Sequence, residues 1–228
     1  MKRGSAGHVS PRLFEFLKDL KKNNRREWFE QHRERYERDV KEPLQQLIVD
    51  FAQPLARISG RFVADPRRSL YRIHRDVRFS RDKSPYKTNA AVHFRHERAA
   101  DAHAPGFYLH LEPGSVFAGV GIWRPDSPSQ ARIREAIVAD PAGWKRIVGA
   151  KKFRETLELA GESLKRPPRG VDAEHPLIED LKRKDFIGVA SFTEKEAVSA
   201  GFLERYAETC RAAAPFVRFL TEALELEF

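Results

Sequence analysis

The sequence predicts an α+β domain in which an antiparallel sheet, built from the middle of the chain, is covered by N-terminal and C-terminal helices. Three observations carry this. Helical periodicity fills about 11–58, short β-branched and aromatic runs separated by Gly or Pro fill about 69–123, and helix-start signals return over about 128–228. With 228 residues, a single domain spanning 1–228 is expected. Ser10-Pro11 offers an N-cap followed by proline, and Leu13, Phe14, Phe16, Leu17 and Leu20 recur with helical period, which predicts a helix over about 11–22, before Asn23-Asn24. Trp28, Phe29 and Tyr36 read as core positions of a second helical segment. Its Arg25-Arg26-Glu27 and Arg33-Glu34-Arg35 runs read as a solvated face. Leu44, Leu47, Ile48, Phe51 and Leu55 form the stripe of a third helix.

Leu70–Phe79 is expected to be a strand, although Leu70, Ile73 and Val77 also fit helical spacing. Phe107–Glu112 and Val116–Trp123 flank Pro113-Gly114-Ser115 as an antiparallel hairpin. Ser127-Pro128 and Asp140-Pro141 each open a helix, Lys165–Asp172 is a loop, and Phe186–Phe192 is a further strand. Thr193-Glu194-Lys195-Glu196 has capping-box spacing, and two helices divided near Pro215 are expected to close the chain.

Composition narrows the function classes. The 16 Phe, 5 Tyr and 3 Trp supply a core, and the lone Cys210 forms no intramolecular disulfide and reads as a small core residue. No apolar run follows Met1-Lys2-Arg3-Gly4, and no window approaches the ~18 apolar residues of a membrane span, so a soluble, cytoplasmic protein without a membrane partner is expected. The sequence does not specify an oligomeric state. Lys and Arg exceed Asp and Glu by 42 to 33, a net charge of +9 that favours an anionic partner. Gly119-Val120-Gly121 lacks the third glycine and the strand-to-helix setting of a dinucleotide fingerprint, and is expected to permit a bulge or a close backbone approach. His93, His96, His103 and His110 match no metal spacing. His93 and His110 belong to strands, and His96 and His103 read as solvated loop histidines. The motifs call for no metal and no cofactor.

Charge concentrates in one segment. Between Arg67 and Lys87 there are eight basic residues against Asp76 and Asp82, two-thirds of the net charge. On a strand, Tyr71, Ile73, Arg75, Val77 and Phe79 share one face, and Arg72, His74, Asp76 and Arg78 share the other. Arg75 then interrupts an apolar face and must meet a carboxylate, carbonyls or a bound anion. The run Ser80–Thr88 is expected to be a loop. Arg72, Arg75, Arg78, Lys83 and Lys87 are the candidate anion ligands, and His74, Asp76, Asp82 and Tyr86 are the candidate catalytic groups, with Asp76 orienting His74 or an arginine and His74 or Tyr86 moving a proton. Asn24, Arg25 and Trp28 are candidates for a second wall of the same cleft.

The run Arg72-x-x-Arg75-Asp76-x-Arg78-Phe79-x-x-Asp82-Lys83-x-x-Tyr86 resembles the signature of a bacterial family of about this length, domain of unknown function 2461. The stretch Asn23-Asn24-Arg25-Arg26-Glu27-Trp28-Phe29 and the hairpin are similar too, so the resemblance covers nearly the whole chain. It implies membership and no activity. The leading expectation is a protein that binds phosphate or another small anion, an enzyme on a phosphorylated small molecule or nucleotide being one form of it. One alternative is a nucleic-acid-binding module in which the basic segment tracks phosphates and Tyr71, Phe79 or Tyr86 stacks bases. The other is a structural or partner-binding domain in which Asp76 and Asp82 lock the arginines and fasten the loop.

Overall fold

The computed structural model describes residues 7–98 and 104–228, so His103 and the Met1-Lys2-Arg3-Gly4 start lie outside the described residues. The chain opens with α1 (Pro11–Lys22), α2 (Arg26–Gln31), α3 (Arg33–Tyr36), a π-helical turn (Glu37–Lys41), α4 (Glu42–Ala56) and α5 (Pro66–Ser69). The first three strands follow as β1 (Ala90–Arg95), β2 (Gly106–Glu112) and β3 (Ser115–Ile122). Then come α6 (Ser127–Ala139), α7 (Pro141–Gly149), α8 (Lys151–Thr156), β4 (Glu158–Ala160), α9 (Ile178–Leu181), β5 (Phe186–Phe192), α10 (Glu194–Ala197) and α11 (Phe202–Ala223).

α1 has the expected bounds, and all five residues of its apolar stripe are buried. Thr193 and Glu196 form the capping box of α10 reciprocally. The Asp140 carboxylate accepts from the Gly143 N–H and caps α7. α6 is capped one residue earlier than expected, because Asp126 reaches the Ser129 N–H. The expected break at Pro215 does not occur. α11 continues through it with Ala212, Ala213, Phe216, Val217 and Leu220 buried on either side, and their packing outweighs the ~3 kcal/mol that an interior proline costs.

The five strands form one antiparallel sheet in the order β1-β2-β3-β5-β4. Pro113-Gly114 fills the two turn positions between β2 and β3, with Gly114 at φ 81° supplying the positive angle that the turn needs. Alternation assigns the two faces. Val92, Phe94, Phe107, Leu109, Leu111, Val116, Ala118, Val120, Phe186 and Ala190 are buried in the core with the stripes of α1, α4 and α11. His93, Tyr108, His110, Glu112, Phe117 and Val189 lie on the other face, which is half-open apart from the buried His93. Gly121 provides the close approach expected of the glycine pair. Its φ is 103°, and a Cβ there would lie 2.2 Å from the Phe186 carbonyl oxygen and 2.8 Å from the Phe216 ring.

Candidate functional site

The basic segment leaves the sheet at the outer edge of β1. Leu70 bridges Val92, and the Tyr71 N–H donates to the Ala91 carbonyl at 3.0 Å. Beyond this point the chain folds back on itself. The Arg75 N–H donates to the Pro85 carbonyl at 2.9 Å, the Lys87 N–H donates to the Ile73 carbonyl at 2.8 Å, and His74 faces Tyr86 in an isolated bridge. Leu70–Phe79 is therefore neither a strand of the sheet nor a helix, which corrects the sequence expectation. Period-two burial does persist: Tyr71, Ile73, Arg75 and Val77 turn at least partly inward, while Arg72, His74 and Asp76 are exposed. It fails at Phe79, which is 95% exposed. Local competition explains the failure, since Asp76 accepts from the Arg78 N–H at 3.2 Å and Asp82 accepts from the Ser84 N–H at 2.9 Å. These short side chains satisfy backbone donors that a ladder would otherwise have used.

Arg75 finds its negative companion inside the chain. Its half-buried guanidinium pairs with Asp82 and donates to the Ser80 hydroxyl at 3.3 Å. Ser84 first, through its hydroxyl and N–H, and Arg75 second hold the Asp82 carboxyl down to about 2. Asp76 pairs with Arg78 at 2.8 Å rather than with His74, and that arginine holds it down to about 2 as well. Lys83 donates to the Val77 carbonyl at 3.0 Å. Arg75, Arg78 and Lys83 are thus engaged within the exposed tip of the loop.

The base of the loop is clasped by Asn24, whose amide imitates a peptide: Nδ2 donates to the Tyr86 carbonyl at 2.9 Å, and Oδ1 accepts from the Tyr86 N–H at 3.0 Å. Asn24, Arg25 and Trp28 do not line the groove described below, so Asn24 acts here as a fastener of the loop and not as a wall of a cleft. Tyr86 itself is buried with its ring stacked on Phe29 at 4.2 Å, and burial pushes its hydroxyl up. Trp28 stacks on His32 at 4.1 Å.

Two of the candidate residues, Arg72 and His74, line a groove of about 480 Å³ between the 66–74 segment and the helices of residues 29–45. Phe29, Tyr36 and Ile73 give it an apolar floor, and Arg33, Lys41, Arg67 and Arg72 bring positive charge. Arg33 is paired with Glu30 at 2.7 Å and Lys41 with Glu37 at 2.7 Å. Arg67 and Arg72 form no salt bridge among the described residues. Arg33 and Lys41 escaped sequence reasoning because alternating charge on a helix reads as a solvated face.

Lys87 turns from this groove toward the half-open face of the sheet, with its Nζ 5.0 Å from the centroid of the Tyr71 ring. The Tyr71 hydroxyl shares a hydrogen bond with His93 Nδ1 at 3.3 Å. Along β2 the Glu112 carboxylate accepts from His110 Nε2 at 3.4 Å, which leaves Nδ1 to accept from the Tyr108 hydroxyl at 2.9 Å. Burial dominates the proton affinities here. It pushes His93 down to about 3, lowers His110 against the opposing pull of Glu112, raises Tyr108, and lowers Lys87 with help from Arg72. His96, expected to be solvated, is buried, with Nε2 donating to the Glu227 carbonyl at 2.8 Å and Nδ1 accepting from the Arg98 N–H. Among the described residues no three His, Cys, Asp or Glu side chains gather as a metal cluster, and no helix is long and apolar enough to cross a membrane.

Comparison with curated proteins gave no match, and comparison with solved structures gave none either. The family model described as "Conserved hypothetical protein (DUF2461)" matches residues 12–219, and the chain belongs to that family, whose function is unknown.

Proposed function

We propose that the protein binds a small anionic molecule, a phosphate or carboxylate compound, in the groove lined by Arg67, Arg72 and His74. One observation carries the reading: Arg33, Lys41, Arg75 and Arg78 all meet a carboxylate, whereas Arg67 and Arg72 beside the groove form no salt bridge among the described residues. Guanidinium forks suit the planar, multidentate oxygens of such a ligand, and the apolar floor of Phe29, Tyr36 and Ile73 suits its uncharged part. Calorimetric titration with inorganic phosphate and with a nucleoside monophosphate tests it. Saturable heat is expected, weakened about tenfold or more in Arg72→Ala and unchanged in Arg78→Ala. Absence of saturable binding by either probe overturns the reading.

Phe79 favours a second reading, contact with single-stranded nucleic acid. Its ring is 95% exposed at the loop tip beside Arg78, whose guanidinium lies 5.7 Å from the ring centroid, with Arg81 and Lys83 close in sequence. Fluorescence anisotropy of a labelled oligonucleotide at two salt concentrations decides it. A salt-dependent affinity that Phe79→Ser weakens is the expected result, and a flat response rules it out.

A further inference from the structure

We propose that the groove holds an elongated dianion, with one anionic group at Arg72, the other at Arg67 and an uncharged middle between them. The inference rests on the anion-binding reading and names the class of molecule that the same groove would take. A volume of about 480 Å³ is that of a site for a whole metabolite rather than for a bare phosphate.

Two walls line the groove and run in opposite chain directions. The Phe29 and His74 rings lie 6.3 Å apart at one end, and α5 packs on α4 at the other. Arg33 and Arg72 therefore share the first end, and Lys41, Gln45 and Arg67 share the second. Backbone geometry gives the spacing of the cations on each wall. From Arg33 to Lys41 the chain is helical throughout, and the helical rise puts their Cα atoms roughly 12 Å apart. From Arg67 to Arg72 the chain finishes α5 and then runs extended past the bridge at Leu70, which spans at most about 13 Å. The two walls thus present their cations in two clusters at matching separation.

The space between the clusters carries no positive charge. Tyr36 and Leu70 line it, together with Glu37, whose carboxylate is paired with Lys41 at 2.7 Å. A ligand charged along its whole length would bring negative charge against Glu37, whereas one charged only at its ends would not. The arginines of the 66–74 wall are also the cations left over. Arg33 spends Nε and one terminal nitrogen on Glu30, and Lys41 meets Glu37. Asp76 feels the charge of Arg72 but gives its carboxylate to Arg78 at 2.8 Å. Two separated guanidinium forks hold a dianion by both ends, and once the first end is bound the second contact forms within the complex.

Linear dicarboxylates are the probes, titrated calorimetrically into the full chain: sebacate, long enough to span both clusters, and succinate, too short to do so. Decanoate, with the chain length of sebacate and one carboxylate, is the control. Sebacate is expected to bind at least about tenfold more tightly than either, and both Arg67→Ala and Arg72→Ala are expected to bring it down to the level of decanoate. Both arginines are exposed, and an unchanged melting temperature in each variant shows that the fold is intact. Equal affinity for sebacate and decanoate, or for sebacate and succinate, overturns the two-cluster inference while inorganic phosphate still binds. Loss of sebacate affinity in Arg72→Ala alone also overturns it, because Arg67 then holds nothing. If neither phosphate nor a nucleoside monophosphate nor any of the carboxylates binds, the anion-binding reading fails and this inference with it.

Discussion

At the tip of the 75–84 loop, Asp76 and Asp82 sit in water against Arg78 and Arg75, and each charge is cancelled by a neighbour a few residues away. On the open face of the sheet, His93, His110, Tyr108 and Lys87 are crowded by rings and by one another, and burial presses each toward its uncharged form. Both regions are dense in ionisable side chains. In the first, dense charge lies largely in water and is locally neutralised, so it holds little free energy. In the second, sparse formal charge conceals groups whose protonation the fold controls. Proximity in sequence marks the first kind of region, and chemistry is more readily built from the second.

The largest difference is expected on truncation. His93→Ala removes a buried ring that packs over Gly106 and bonds Tyr71, and should cost about 2–4 kcal/mol by denaturant unfolding. A loss no greater than that at the loop tip would erase the contrast. Acid should separate the regions next. Burial holds the native His93 down to about 3, against 6.5 in the unfolded chain, so between these values the unfolded state holds more protons and stability falls as pH is lowered. His110 is depressed too and adds to the slope with the same sign. Asp76 and Asp82, lowered from 3.8 to about 2, favour the fold above that range and lose their contribution only as pH falls through it. Unfolding measured from pH 7 to 4.5 should therefore decline in the parent and flatten in His93→Gln. A slope that survives this substitution and His110→Gln assigns the effect elsewhere.

Smaller effects belong to the tip. Arg75→Ala should lower the melting temperature by no more than about 2–4 °C, as expected for a partly exposed pair. A larger drop would mean that the Asp82 contact fastens the loop as a structural lock. Phe79→Ser should move it by less than about 2 °C, since the ring covers almost nothing.

The legible parts of the fold are those in which a single local rule decides. α1 follows from proline at its start and a buried stripe, the β2–β3 hairpin from Pro113-Gly114, and the cap of α10 from Thr193 and Glu196. Where two rules compete, the outcome depends on contacts remote in sequence. Leu70–Phe79 alternates like a strand, but Asp76, Ser80, Asp82 and Ser84 bond within the loop, and among the described residues its pairing with the returning chain is the single bridge His74–Tyr86. Pro215 breaks an isolated helix, yet here the buried side chains flanking it hold α11 together. The three residues of β4 carry too little pattern to be seen before β5 is in place. Within the candidate site, the basic run was visible, and Asn24 only as a residue of the cleft wall, not as a clasp on Tyr86. The partition of that run into self-paired tip, buried Tyr86, groove-lining Arg72 and face-directed Lys87 was not, because one turn at Ile73–Lys87 sends neighbours in four directions.

The Asn24 clasp carries a consequence for a severed chain. Residues 24 and 86 are joined by a reciprocal pair of bonds as a ladder would join them, and Phe29 lies against the Tyr86 ring, so the leading helices grip the far side of the loop directly. A trypsin nick at exposed Arg78 or Arg81 therefore cuts a covalent link that the assembled molecule hardly relies on. The two pieces should run together on gel filtration and part only in denaturant, whereas in Asn24→Ala the same nick should let them drift apart.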